Sequence, residues 1–245
     1  MKYIGSKNRL SKEIAPIIQS YINENTKGYL EPFVGGANMI DKIKCDNKIG
    51  YDLHKQLIAL LNQAKTDTTC FTETITEEEY YKVKNNKEDY EDWYVGLVGF
   101  CGSFSAKYFG GYARAFKNDK ITPRDMPNEA IRNIKKQAPK LKDITFECKN
   151  FLEINTNDFK GYVIYCDIPY RDTTKYATGT FPYEEFYQWC REMSKNNIVL
   201  ISEYYMPEDF TCIWEKKVKV NIDSKRKERN KDNNKVEKLY IYKTN

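Results

Sequence analysis

Residues 162–166, YVIYC, form an unbroken apolar run that stops at Asp167. A short apolar run of this kind is what a parallel strand presents when helices cover both faces of its sheet. Two earlier stretches resemble it. Residues 29–33 run into the turn Val34-Gly35-Gly36-Ala37-Asn38, and residues 48–51 stop at Asp52. Between and around them, helical spacing appears. Leu10, Ile14, Ile17, Ile18 and Tyr21 share one face, with Ser6 or Ser11 as cap, and Leu53, Ile58, Leu60 and Leu61 predict a helix after Asp52. Strand, glycine turn, helix, strand and acid together open a dinucleotide-like α/β fold.

The alternation then breaks. Thr76 and Glu79 form a candidate capping box before a Tyr- and Lys-rich helix, a second helix is expected over residues 89–100, and a third near residues 128–137. Residues 62–143 therefore read as an inserted, mainly helical module between catalytic segments 1–61 and 144–245. Alternation at Ile144, Phe146 and Cys148 marks the return of the sheet. Phe186, Trp189, Cys190 and Met193 make another helical face, residues 198–202 a further strand, and residues 218–222 with 239–242 a closing antiparallel pair.

With 40% apolar and 31% charged residues, the chain has enough apolar surface for a buried core. No apolar run is long enough to span a bilayer, and no signal segment follows Lys2, Lys7 and Arg9, so a cytoplasmic location and no membrane partner are expected. Seven scattered cysteines without a CxxC pair, and a single histidine, His54, point to reduced thiols and no metal site. A formal charge of +5 permits an acidic partner. Basic residues alternate with aromatics over residues 103–124, and six basic residues stand among three acidic ones over residues 223–235.

Asp167-Ile168-Pro169-Tyr170 follows the buried run directly. An exocyclic amino group on a base is a poor nucleophile because its lone pair is delocalised into the ring. A catalyst must offer it well-placed acceptors. Asp167 can accept one amino hydrogen and the Ile168 carbonyl the other. Pro169 biases Ile168 toward an extended conformation, and Tyr170 offers a flat face to a base taken from its stack. The plainer alternative is a strand followed by a Pro-containing turn over a buried Tyr. Gly35 and Gly36 allow close approach of a ligand, and Asp52 suits ribose hydroxyls, although the glycines also serve a tight turn and Asp52 a helix cap. Without GxGxxG or GxxxxGK[ST], a cofactor with a sulfonium and a carboxylate, S-adenosyl-L-methionine, fits better than a pyrophosphate-bearing one.

MKYIGSK, YLEPFVGGANM, GYDLHKQLIALL, ECKNF and YCDIPY, in that order, closely resemble the Dam-like, phage-type DNA adenine N(6)-methyltransferases, and the likeness extends to LISEY and the terminal VEKL. The resemblance implies a Rossmann-like S-adenosylmethionine-dependent methyltransferase sheet with an inserted target-recognition module. It also implies methyl transfer to the 6-amino group of adenine in double-stranded DNA. By it, Tyr3, Gly5 and Lys7 help hold the cofactor, Lys7 being a candidate for its carboxylate. Phe33, Gly35, Gly36, Ala37 and Asn38 correspond to the cofactor loop, Asp52 to the ribose-binding acid, and Asn150 and Phe151 to the cofactor-adenine contact. Phe151 reads equally as a core aromatic. Asp167, Ile168, Pro169 and Tyr170 correspond to the DPPY catalytic motif, Asp167 also bordering the cofactor.

Ile168 stands where the family has the first proline of DPPY; the carbonyl is kept and the ring restraint is lost. Residues 102–116, GSFSAKYFGGYARAF, do not reproduce the Arg-Tyr-Asn pattern of GATC-methylating members, so the target sequence does not carry over. Lys107, Arg114, Lys117, Lys120 and Arg124 are candidate DNA contacts, with Phe104, Tyr108, Phe109 and Tyr112 either core or wedge. Lys225, Arg226 and Lys227 read as phosphate contacts or as a solvated loop. Rival readings are amino-methylation of cytosine, RNA or a glutamine amide, and a DNA-binding homologue with little catalysis. Oligomeric state is open, a monomer included.

Overall fold

A computed structural model describes residues 1–116, 119–170, 181–219 and 234–242. Among these residues seven strands form one sheet: β1 (Gly28–Glu31), β2 (Lys48–Asp52), β3 (Ile144–Cys148), β4 (Tyr162–Asp167), β5 (Ile198–Glu203), β6 (Phe210–Lys219) and β7 (Asn234–Tyr242). Their spatial order is β3-β2-β1-β4-β5-β7-β6. The first five in that order are parallel, and β7 lies antiparallel between β5 and β6. This is a Rossmann-like α/β sheet.

The strands read as apolar on both faces because both faces are covered. Tyr29, Val163, Tyr165 and Leu200 belong to the core on one side, and Leu30, Ile164, Cys166, Val199 and Ile201 to the core on the other. Each such side chain contributes roughly 1.5–3 kcal/mol on full burial. A one-residue slip would send every one of them to the opposite face, so packing fixes the register. Helices α1 (Ser11–Ser20), α2 (Lys55–Thr66), α4 (Asp92–Cys101) and α5 (Met126–Gln137) contribute to the first core, as does α3 (Glu77–Asn85) through Tyr80 and Val83. α6 (Tyr183–Ser194) covers the second with Phe186, Trp189, Cys190 and Met193.

Several local expectations are corrected. Neither Ser6 nor Ser11 caps α1: Ser6 Oγ caps the 3-10 turn Lys7–Arg9 by accepting from Asn8 N, and Ser11 Oγ donates to the Asn8 carbonyl. Only half of the expected box at Thr76 is seen. Thr76 Oγ1 accepts from Glu79 N at 3.2 Å, while the Glu79 carboxylate accepts from Tyr94 of α4. α4 starts at Asp92 and α5 at Met126, the latter capped by Asp125, which accepts from Asn128 N. The closing strand β6 begins at Phe210, well before the expected residue 218. Its amphipathic TCIWEKKVK stretch has exposed polar positions that weakened the signal.

α2 runs through residues 61 and 62 without a break, and α4 lies against it so closely that Gly96 meets backbone. A Cβ at Gly96 would stand 2.2 Å from the Gln56 carbonyl oxygen. Gly96→Ala therefore forces α4 off α2, and overpacking of this kind costs about 1–3 kcal/mol. In a urea titration we expect a lower midpoint with a single transition. An unchanged midpoint, or two separated transitions, would mean that α4 is not part of the cooperative core.

Candidate active site

The chain leaves β1 toward β2 and β3 but leaves β4 toward β5, so direction reverses between these neighbours. In open α/β sheets a crevice forms at such a switch, outside the carboxyl ends of the strands. Three acids stand at those ends here: Glu31 on β1, Asp52 on β2 and Asp167 on β4. Glu31 is 3% exposed and accepts from the Tyr29 hydroxyl at 2.7 Å. Burial pushes its carboxyl well above the usual range.

The loop after β1 turns sharply. Gly35 has φ +48° and Ala37 φ 54°, both left-handed, and a Cβ on Gly35 would lie 2.9 Å from the Tyr3 ring. Asp52 holds this loop: its Oδ2 accepts from Gly35 N and its Oδ1 from His54 N, each at 3.0 Å. Burial raises the Asp52 carboxyl, and the backbone donors pull it back down. The cap of α2 is His54, whose Nδ1 accepts from Leu57 N. Asn38 Nδ2 donates to the Met1 carbonyl and to Ser6 Oγ, both at 2.8 Å, tying the loop to the N-terminal motif. That motif turns at Gly5, φ 73°, with Ser6 N bonded to the Tyr3 carbonyl. From α5, Gln137 Nε2 donates to the Gly36 and Ala37 carbonyls at 3.2 and 2.8 Å.

Lys7 is only 8% exposed and reaches the β4 end. Its Nζ lies 3.0 Å from Asp167 Oδ1, 3.6 Å from Glu237 Oε2 and 4.2 Å from the Tyr170 ring centroid. The Tyr170 hydroxyl donates to Glu237 Oε2 at 2.7 Å. Burial raises the Asp167 carboxyl, Lys7 opposes this, and Glu237 adds to it. Tyr170 is pushed well above the phenol range by burial and by both carboxylates, so it stays a donor. Ile168 is buried in the second core, and the Tyr183 hydroxyl donates to the Pro169 carbonyl at 2.7 Å.

Phe151 is buried, with its ring centroid 5.4 Å from Phe33 and 5.6 Å from Phe181. Asn150 caps the following turn, its Oδ1 accepting from Leu152 N. Sequence reasoning missed Glu237, Tyr183 and Gln137 as site residues. The signal for Glu237 was its phase: it is two residues from Leu239 on an alternating strand, and both are buried.

The candidate DNA residues sit elsewhere. Lys107, Arg114, Lys120 and Arg124 are exposed on the 103–124 segment, which is closed by bridges Ser103–Tyr112 and Phe116–Pro123. Arg114 is paired with Glu77 and Arg124 with Glu129. Of the four aromatics, Phe109 is buried, Tyr108 packs on His54 and Phe100, Tyr112 packs on Tyr80, and Phe104 is 57% exposed. Lys117, Lys225, Arg226 and Lys227 lie outside the described residues. Among the described residues there is no metal-type cluster of His, Cys, Asp and Glu, and no helix long and apolar enough to cross a membrane.

Residues 3–240 match the D12 class N6 adenine-specific DNA methyltransferase family, and the chain belongs to it. It is 24% identical over 200 residues to the type II methyltransferase M.FokI of Planomicrobium okeanokoites, covering 71% of this chain and 29% of that protein. To the type II methyltransferase M.MjaIII of Methanocaldococcus jannaschii it is 25% identical over 218 residues, covering 74% of this chain and 71% of that one. A solved chain from Haemophilus influenzae, described as a methylase, aligns over 96% of this chain and 97% of its own at 11% identity, with a TM-score of 0.36 that carries no weight.

Lys7 is the cation shared by partly exposed Asp167 and buried Glu237, and a hydrogen bond to a charged group contributes about 1.5–3 kcal/mol. Lys7→Met should lose stability of that order at pH 8 by urea titration. The loss should shrink on acidification. Without Lys7 the Asp167 carboxyl rises further, so the folded state binds protons more readily than the unfolded one and stability falls as pH rises. A stability deficit independent of pH would show that the ion pair contributes nothing.

Proposed function

We propose that this chain transfers a methyl group from S-adenosylmethionine to the 6-amino group of adenine in duplex DNA, without a metal and without a covalent enzyme intermediate. The observation that carries the reading is Asp167-Ile168-Pro169-Tyr170 at the carboxyl end of β4, beside the glycine loop that follows β1, with Lys7 against Asp167. When bound, S-adenosylmethionine supplies an electrophilic methyl carried on a cationic sulfur. The residues present suit it: a left-handed turn at Gly35 whose backbone closes on the Tyr3 ring, the Asp52 carboxylate at the end of the neighbouring strand, and the Phe33–Phe151 ring pair. Asp52 would take the ribose hydroxyls with the carboxylate that also holds Gly35 N.

On the DNA side, Asp167 accepts one hydrogen of the target amine, and the Ile168 carbonyl accepts the other, directing the nitrogen lone pair out of the ring. Asp167 also lies where the amine's surplus proton must leave after transfer. Tyr170 borders the place of the extruded base, with Lys7 over its ring and Tyr204 against it. Residues 62–143 serve as target-recognition module in this reading, with the exposed 103–124 segment facing DNA. Lys107 and Lys120 meet phosphate there, and Arg114 and Arg124 do so once they leave Glu77 and Glu129. Lys225, Arg226 and Lys227 add further phosphate contacts.

The deciding experiment is methyl transfer from labelled cofactor to unmethylated plasmid, followed by modification-sensitive sequencing, which gives base and target site together. N(6)-methyladenine at a defined sequence is expected. Label on cytosine or on RNA, or binding without transfer, would replace the reading. Asp167→Ala should keep cofactor affinity within a few-fold and slow single-turnover transfer by at least ~100-fold. Ile168→Pro should stay within about tenfold of the parent, because it keeps the carbonyl and adds only a ring restraint. Neutralising Lys225, Arg226 and Lys227 together should weaken binding to all sequences and flatten the salt dependence by about 0.9 in slope for each phosphate no longer neutralised. An unmoved slope would place the DNA-facing surface elsewhere.

A further inference from the structure

Glu237 has no part in the amino-group chemistry, yet it is buried beside it. β7 is antiparallel, so its opening residues adjoin the carboxyl end of β5, with Leu239 opposite Ser202 and Lys238 opposite Glu203. Ser202 in turn pairs with Asp167. This register carries Glu237 to the mouth of the crevice on the same side as buried Leu239. A carboxylate there loses much of its hydration, a penalty of several kcal/mol unless it is paired and hydrogen-bonded. An apolar residue in phase with Leu239 would close the sheet without that penalty.

Both partners of Glu237 belong to the proposed site. It accepts from the Tyr170 hydroxyl at 2.7 Å and lies 3.6 Å from Lys7 Nζ, which is itself 3.0 Å from Asp167. The ring of Tyr170 is thus fixed at its hydroxyl by Glu237, by Lys7 at 4.2 Å, and by Tyr204 at 4.4 Å in an edge contact. We propose that Glu237 is a positioning residue of the DIPY clamp, holding the Tyr170 ring by its hydroxyl and anchoring Lys7 between two carboxylates. This role rests on the methyltransferase reading of the site.

The charge of Glu237 has a separate consequence. Among the described residues, the titratable groups that face or couple to Asp167 are Lys7, Glu237, Tyr165, Tyr170 and Glu31. Glu237 raises the Asp167 carboxyl and Lys7 lowers it. Taking away the negative charge of Glu237 leaves Lys7 less opposed, so Asp167 stays ionised to lower pH. The acid limb of the pH–rate profile must then move toward lower pH. A residue that only supports the fold would change stability and leave that limb in place.

The test uses the full chain with Glu237→Gln, Glu237→Leu, Tyr170→Phe, and the Glu237→Leu/Tyr170→Phe double variant. Single-turnover methyl transfer to DNA is measured across pH, with cofactor binding and thermal melting recorded alongside. Glu237→Gln keeps an acceptor for the tyrosine, so we expect a rate within ~10-fold of the parent and an acid limb moved to lower pH. Glu237→Leu should slow transfer by at least ~10-fold, and by much less than that factor when Tyr170 is already Phe. An unmoved acid limb in Glu237→Gln, parental transfer by Glu237→Leu, or full additivity of the double variant would each overturn the role. If the parent itself methylates no adenine, the function falls and the role with it. An active parent with insensitive Glu237 variants removes the role alone.

Discussion

Lys7, Asp167 and Glu237 meet at the carboxyl end of β4, and they come from three distant parts of the chain. Lys7 and Glu237 are buried and Asp167 partly so, and the hydration that each loses is offset by its partners. Lys7 without Asp167 keeps only the longer contact to Glu237, at 3.6 Å. Asp167 and Glu237 without Lys7 are two carboxylates in mutual repulsion. The N-terminal turn, the end of β4 and the start of β7 therefore meet in one network of charges and hydrogen bonds. The Tyr170 phenol joins it because burial and the adjacent carboxylates keep it protonated and donating to Glu237.

A second constraint operates at the glycine loop. Gly35 adopts its left-handed conformation freely, but Ala37 does so at a cost of about 1–2 kcal/mol. Strain of this kind persists where surrounding contacts over-determine the backbone. Ala37 N bonds the Val34 carbonyl, its own carbonyl accepts from Gln137, and Asp52 and Asn38 hold the residues on either side. Gln137 belongs to the segment that interrupts the sheet. The helices of residues 62–143 thus brace the loop as well as carrying the exposed 103–124 surface, and α4 shares a core with α2.

Much of this was legible in the sequence because it is written in runs and short motifs. The apolar run at residues 162–166, the glycine turn and the acids Asp52 and Asp167 that end two strands all have local signatures, whereas β1 ends at Glu31, short of the expected residue 33. What escaped has none. The contact of Lys7 with Asp167 is a pairing across 160 residues that no local pattern encodes. Gln137 and Tyr183 are single polar side chains on amphipathic helices, where period alone cannot distinguish a solvent-facing group from one aimed at a backbone carbonyl. The start of β6 at Phe210 was missed for a different reason. It pairs with β7 alone and keeps polar residues exposed, so it lacks the unbroken apolar run that identified β4.

The same long-range pairings restrain the backbone around Ile168. A proline there would restrict φ at that residue and reduce the freedom of the unfolded chain. In the folded state the neighbours already restrict it. Asp167 is held by Lys7, the Pro169 carbonyl by the Tyr183 hydroxyl, and the Tyr170 hydroxyl by Glu237, while the Ile168 side chain is buried in the core under α6. With positions 167, 169 and 170 fixed and the side chain of 168 packed, little freedom is left for a ring to remove. Isoleucine also contributes apolar burial of roughly 1.5–3 kcal/mol at full burial. The restraint that the ring would have supplied therefore acts mainly on the unfolded ensemble, and the backbone at Ile168 is governed by neighbours that isoleucine leaves in place.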